Sequence, residues 1–187
     1  MQVGDGPALA RAYSANREHL APWEPLRSPE FFTPEWQEFH AEQCVIEASA
    51  GRNIRFVIES SDGEIRGRIN LNNIVRGAFW NADLGYWVDH TRLRRGLASR
   101  GVRLVAAYAR DEVRLHRLQA ATLLHNSGSQ RVLADNGFER IGIAPQYLRI
   151  AGEWQDHLLF QLLLDEPLSE PRELSLIHIS EPTRQEA

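Results

Sequence analysis

Two stretches of this chain carry residue types and spacings able to do chemistry. In the first, Leu84-Gly85-Tyr86-Trp87-Val88-Asp89 reads as the end of a strand. Arg94-Arg95-Gly96-Leu97-Ala98 follows as a basic loop with a glycine opening a helix. The first turn of a helix exposes unpaired N–H groups and a partial positive charge. A glycine there lets an anion approach the backbone, and flanking arginines add charge-assisted bonds. The pattern suits a pyrophosphate. Gly96 to Gly101 has the GxxxxG spacing of a nucleotide-triphosphate loop, but Val102 and Arg103 stand where that loop carries Lys and Ser or Thr. It is not a dinucleotide GxGxxG either. In the second stretch, Leu124-His125-Asn126-Ser127-Gly128-Ser129 puts a polar pair at a strand end, and Asn136-Gly137-Phe138 closes a short helix and opens the next strand.

Other chemistries fit less well. The seven histidines show no HxxxH or HxH spacing, so no metal is expected. The single Cys44 sits in an amphipathic helix and reads as core. No GxSxG elbow is present for a serine hydrolase.

These stretches need elements to position them. Residues 7–20 read as a helix, broken at Ala21-Pro22-Trp23-Glu24-Pro25. Thr33 caps a second helix with Pro34 in its first turn, ending at Gly51. Ile54 to Ser60 and Ile65 to Asn72 read as a hairpin around Ser61-Asp62-Gly63. In its second strand Ile65, Gly67, Ile69 and Leu71 alternate with Arg66, Arg68, Asn70 and Asn72, the pattern of a half-buried strand. Ala82 to Val88 is a further strand. The Gly96 helix runs to about Val113 with Leu97, Gly101, Leu104, Val105 and Tyr108 on one side. A strand at Leu118 to Leu124, a helix at Ser127 to Asn136 and a hairpin of Glu139 to Ile150 with Trp154 to Leu164 complete a mixed α/β sheet with helices on its faces.

The chain has 187 residues, 43% hydrophobic and 25% charged, which fits a single globular domain. One cysteine excludes an internal disulfide framework, and no apolar run has the roughly 18 residues of a membrane span. With no secretory pattern at the start, a cytoplasmic location is expected. The net charge of −4 argues against general nucleic-acid binding. That charge is uneven. Arg17 to Glu42 holds six glutamates against two arginines, and Arg92 to Leu118 holds eight arginines against Asp111 and Glu112. Each run alone reads as a solvated helix face. Together they read as a bipolar protein, with one segment suited to an anion and the other to a cationic partner.

With Leu133 and Glu139 included, the second stretch resembles the later motif of the GNAT acetyltransferase superfamily, and the first is similar to its acetyl-CoA pyrophosphate motif. Asn16-Arg17-Glu18-His19-Leu20-Ala21-Pro22-Trp23 narrows the likeness to the ribosomal-protein N-terminal acetyltransferase branch, as does Tyr147-Leu148-x-Ile150-x-Gly152-x-Trp154-x-Asp156-His157. It covers about Ala8 to Leu164. The resemblance implies a mostly antiparallel sheet, splayed at the cofactor site, and acetyl-CoA as co-substrate without a metal. Trp87 and Val88 would pair with pantetheine, and Arg94, Arg95, Gly96, Leu97, Ala98 and Ser99 would hold the diphosphate. Asn126 would position pantetheine or amine. Ser129 would hydrogen-bond the departing thiolate, and Tyr147 joins them as a catalytic residue. Asn16, His19, Trp23 and Asp83 would border the acceptor, with the acidic run drawing in a basic one.

Two positions depart from the family pattern. Leu93 stands where Gln or Arg is usual three residues before the glycine, with Arg94 where a glycine is common. Gln146 replaces a carboxylate found before the tyrosine in some members, so no general base is assigned. The expected activity is acetyl transfer to a primary amine, foremost a protein N-terminus, by a monomer or homodimer that binds neither nucleic acid nor membrane. Acetylation of an aminoglycoside or polyamine is the second reading, and a non-catalytic acyl-CoA sensor the third. The domain is expected over 1–166, short of part of its first strand, with a linker at 167–173. Residues 174–187 contain LSLIHISEPTR, which resembles a translated sequencing adapter and reads as a non-native tail.

Overall fold

The structure, a computed structural model, describes residues 1–164. The end of the expected domain, the linker and the tail lie outside the described residues. Helices α1 (Gly6–Ala15), α2 (Arg17–Leu20) and α3 (Pro34–Ser49) come first. Strands β1 (Ile54–Glu59), β2 (Ile65–Val75) and β3 (Asn81–Val88) follow, then α4 (Leu97–Asp111), β4 (Arg117–Leu123), α5 (Ser127–Asp135), β5 (Glu139–Ile150) and β6 (Glu153–Leu163). The expected first helix is interrupted at Asn16. Thr33 caps α3 as expected, its hydroxyl accepting the Trp36 N–H at 3.3 Å.

The six strands form one open sheet in the order β1-β2-β3-β4-β6-β5. Every neighbouring pair is antiparallel except β3 with β4. On one face α4 lays Leu97, Val102, Val105 and Ala109 over Ile69, Leu71, Ala82, Leu84 and Leu118, and α5 adds Leu133. Each of the Leu, Ile and Val side chains contributes roughly 1.5–3 kcal/mol on burial. The buried stripe is turned from the expected one, since Leu104 and Tyr108 flank it rather than fill it. On the other face Leu9 and Tyr13 of α1 pack with Leu20, Phe31 and Trp87.

The expected alternation in β2 fails at one end. Ile58 pairs with Gly67 and Glu59 with Ile65, so Arg66 is an extra residue in the ladder. A one-residue bulge exchanges the faces of the strand beyond it. Ile65 therefore packs beneath α1 with Trp87, away from Ile69 and Leu71. Among the described residues no helix is long and apolar enough to cross a membrane.

Candidate active site

The parallel pair β3 and β4 is bonded only where Asn81–Asp83 meets Arg117–Gln119. Past that point β3 follows β2 as far as Val88, and β4 follows β6 as far as Leu123. The two halves of the sheet part there. Leu84–Trp87 and Ala120–Leu123 become facing walls of a groove of about 550 Å³. Strand edges that lose their ladder partner offer N–H and C=O groups with which an extended ligand can pair.

At the parting, the Asn126 side chain caps α5 by accepting the Ser129 N–H at 3.1 Å. The Tyr86 hydroxyl lies 2.8 Å from Ser129 Oγ and 3.2 Å from the Ser129 carbonyl oxygen. When the phenol donates to Ser129 Oγ the serine proton is left for a ligand, and when it donates to the carbonyl the serine hydroxyl can donate back to the phenol oxygen. Burial pushes the Tyr86 phenol up to about 12, against a smaller opposing effect of the Ser129 bond, so it remains protonated. Across the groove, Thr122 Oγ1 is buried without a hydrogen-bond partner. Thr122 shares its strand face with Leu118 and Ala120, the side of α4 and α5.

The expected anion cradle is built from β3 outward. Asp89 accepts the Thr91 N–H and hydroxyl, both at 2.9 Å, and is paired with Arg66 at 3.3 Å. This fixes the turn that leads into Arg94 and Gly96, whose φ values are +60° and +74°. The left-handed region accounts for glycine at this helix start, and it explains why the Arg94 position suits a glycine elsewhere. Gly96 is the α4 cap and provides no side-chain bond, and a Cβ built on it meets nothing within 4 Å. The first-turn N–H groups therefore face open space beside two exposed arginines, a geometry that fits a diphosphate. Leu93 is exposed and belongs to no core. Ser99, in the first turn of α4, accepts from Asn136 Nδ2 at 2.9 Å and ties α4 to the end of α5.

The opposite side of the groove is aromatic. Tyr13, Trp23, Phe31, Trp36 and Trp87 line it. Trp23 lies 5.3 Å from the His125 ring, which brings the end of the Asn16–Trp23 segment beside the Asn126 loop. The Trp87 indole donates to Tyr13 at 3.0 Å, so its side chain serves this side and only its backbone is left for pantetheine. Val88 turns into the α4 core.

Four of the expected catalytic and acceptor residues lie elsewhere than on the groove wall. Asn16 is only 1% exposed. It donates to Ala12 at 2.9 Å and accepts the His90 N–H at 2.8 Å, so it braces the loop before the cradle rather than touching an acceptor. His19 packs 6.0 Å from His90, and burial lowers its pKa. Asp83 accepts from Asn73 Nδ2 at 2.9 Å at the closed end of the parting. Tyr147 is 45% exposed on an irregularity between Ala144 and Leu148, and its ring packs 5.8 Å from His157.

The expected negative acceptor patch is also corrected. Of the six glutamates in the acidic run, Glu24 alone lines the groove, and it is paired with Arg27 at 3.3 Å. Glu38 turns back to accept the Gly4 and Gly6 N–H groups at 2.6 and 2.9 Å. The groove instead carries Arg68, which the alternation of β2 sets opposite its apolar residues, together with His40, Arg55, Arg149 and His157. Burial first, then the Arg68 and Arg55 guanidinium groups, hold His40 down at about 4. His157 Nδ1 lies 2.9 Å from the Gln155 carbonyl, which can only accept, so in the neutral ring Nε2 holds the lone pair. Among the described residues no three His, Cys, Asp or Glu side chains gather as a metal site requires.

The Acetyltransferase (GNAT) domain family model matches residues 1–139. The chain is 34% identical to the [Ribosomal protein uS5]-alanine N-acetyltransferase of Escherichia coli, over 84% of this chain and 82% of that protein. Among solved structures it resembles the ribosomal-protein-S5-alanine acetyltransferase of Vibrio fischeri, with a TM-score of 0.85 and 34% identity, covering 88% of this chain and 91% of that one. It also resembles Mycobacterium smegmatis RimJ in complex with CoA-disulfide, with a TM-score of 0.82 and 32% identity, covering 87% and 79%.

Proposed function

The chain belongs to the acetyltransferase (GNAT) domain family and is an N-acetyltransferase, and from that premise we propose that it carries acetyl from acetyl-CoA to the N-terminal α-amine of a ribosomal protein. The observation that carries this reading is the parting of β3 from β4 with the Tyr86–Ser129 pair at its mouth. One extended substrate can lie along each side of such a gap.

Acetyl-CoA supplies an activated acyl carbon, and the chain's residues do the rest. The Gly96 cradle with Arg94 and Arg95 binds the diphosphate, and the freed edge of β3 pairs with the pantetheine. The amine enters along Trp23, Trp36 and Trp87. Its nitrogen lone pair forms the C–N bond as the C–S bond breaks, leaving the electron pair on sulfur. The Ser129 hydroxyl, held by Tyr86 and Asn126, donates to that sulfur, an electrostatic contribution aimed at charge that develops only during reaction. His157 Nε2 is the groove's available lone pair for the amine proton, since Glu24 is committed to Arg27.

The choice of amine follows from acid–base chemistry, because only the neutral amine attacks. An α-amine with a pKa near 7.7–8 is about a tenth or more neutral at pH 7, against a few parts in ten thousand for a lysine at about 10.4. A groove without a free carboxylate suits the first. It also suits polyamines and aminoglycosides poorly, since several ammonium groups would meet one carboxylate that is already paired. Turnover of acetyl-CoA against ribosomal-protein N-terminal peptides, spermidine and an aminoglycoside tests the proposal. Peptide turnover is expected, and exclusive turnover of the polycations would refute it.

A further inference from the structure

Arg68 is 5% exposed and lines the acceptor side of the groove. It donates to Asn70 Oδ1 at 2.8 Å through Nε, to the Tyr13 hydroxyl at 3.2 Å through Nη1 and to His40 Nε2 at 3.2 Å through Nη2. All three partners are neutral, His40 included, because its Nε2 must keep a lone pair to accept. A guanidinium has five N–H donors, so one on Nη1 and one on Nη2 remain. A buried charge is tolerated when it is paired, and a fork of two parallel N–H groups matches a carboxylate.

The surrounding charges do not pair with it. The groove is lined by Arg27, Arg55, Arg68 and Arg149 against Glu24 alone. Glu24 serves Arg27, and Glu47 on α3 serves Arg55. Arg149 donates to the Gly152 carbonyl at 3.0 Å. Asp83 faces the same side of the sheet but is bonded to Asn73. Arg68 sits opposite Trp87 in the ladder, one residue along from the Ile69–Tyr86 pair. It is thus next to the reacting end of the groove and on the face away from the cofactor side.

We propose that Arg68 is the floor of an anion subsite and that the acceptor carries a carboxylate beside its reacting amine. The inference rests on the reading of this side of the groove as the acceptor site. Two sources share the chemistry: an acidic side chain within the first residues of a polypeptide, and the α-carboxylate of a free amino acid. Either would form two charge-assisted bonds with Nη1 and Nη2, leaving the amine to point through the parting towards Ser129.

The test compares acceptors that differ only by a carboxylate and its amide. One pair is a peptide with Glu or Gln after its N-terminal residue, and the other is a free amino acid and its amide. In the wild-type protein the acid of the correct pair should show a kcat/KM about tenfold or more above its amide twin, and the pair that shows it identifies the source. Arg68→Gln should bring that ratio to near one, and Arg68→Lys should keep part of it. A wild-type ratio near one in both pairs, or a ratio that survives Arg68→Gln, overturns the subsite. Should Arg68→Gln not fold, the wild-type ratio and Arg68→Lys decide. Calorimetry separates the subsite from the transfer reading, using unreactive N-acetylated Glu and Gln peptides together with N-acetyl amino acids and their amides. Tighter binding of an acid than its amide supports the subsite even without turnover, and equal or absent binding throughout overturns it.

Discussion

The hydroxyl of Tyr86 on β3 lies 2.8 Å from the hydroxyl of Ser129 on α5, so the strand that opens the groove and the helix that begins at it meet through one pair of oxygens. Because the Tyr86 phenol is pushed up to about 12, the pair holds its protons across the working range of an amine acetyltransferase.

The first prediction concerns this pair. Ser129→Ala removes a donor to developing charge, a contribution of roughly 1.5–3 kcal/mol, so kcat should fall by about tenfold or more. Tyr86→Phe should lower kcat in the same direction by loosening Ser129, with the KM for acetyl-CoA changed less. Steady-state kinetics check both, and unchanged kcat in Ser129→Ala would remove Ser129 from the reaction.

Thr122 gives a prediction with two opposite signs. Its buried Oγ1 lacks a partner in the free protein, which costs about 1–3 kcal/mol. Thr122→Val should therefore raise the melting temperature of the free protein while weakening acetyl-CoA binding. Thermal melts and calorimetry read the two effects. A variant that binds the cofactor as well as wild type would show that the Thr122 hydroxyl takes no part in holding it.

Gly96→Val should weaken acetyl-CoA binding by about tenfold or more by standing over the first-turn N–H groups. No protein atom lies within 4 Å of the new Cβ, so a clash inside the protein is not the cause. The φ of +74° strains any side chain, by roughly 1–2 kcal/mol. Affinity is therefore measured by calorimetry at a temperature where melting shows the variant folded. Wild-type affinity would mean that the diphosphate binds elsewhere.

His40 makes stability depend on pH. Burial and the neighbouring arginines lower its pKa to about 4 from 6.5. Between those values the unfolded chain binds the proton and the folded chain does not. The contribution is thus complete above about pH 6.5 and is lost as the pH falls towards 4. Urea unfolding across that window should show a shallower decline in His40→Gln than in wild type. Equal slopes would mean that His40 titrates normally in the fold.

The parts of the site that lie close together in sequence could be read from it. Gly96 after a basic loop and Asn126 three residues before Ser129 are local signals for a helix start, and both occur where expected. The meeting of Tyr86 with Ser129 spans 43 residues and depends on how α5 returns over β3. Arg68 was hidden for another reason. Alternation in β2 sets it opposite the apolar residues, and only the packing of α1 and α3 over that face buries it. The bulge at Arg66, which moves Ile65 to the other core, likewise has no signature in an alternating strand. Asn16 shows the reverse error. A polar residue in an expected acceptor segment turned out to be a brace, because both ends of its amide are used internally.

The most direct test of the account is where the acetyl group goes. A peptide with a free α-amine and two internal lysines, made with an acidic and with a neutral residue after its first position, is incubated with the protein and acetyl-CoA. Tandem mass spectrometry then locates the product. The account predicts a single acetyl on the N-terminal nitrogen, with the lysines unmodified at matched exposure. Acetyl found mainly on the lysines would contradict it.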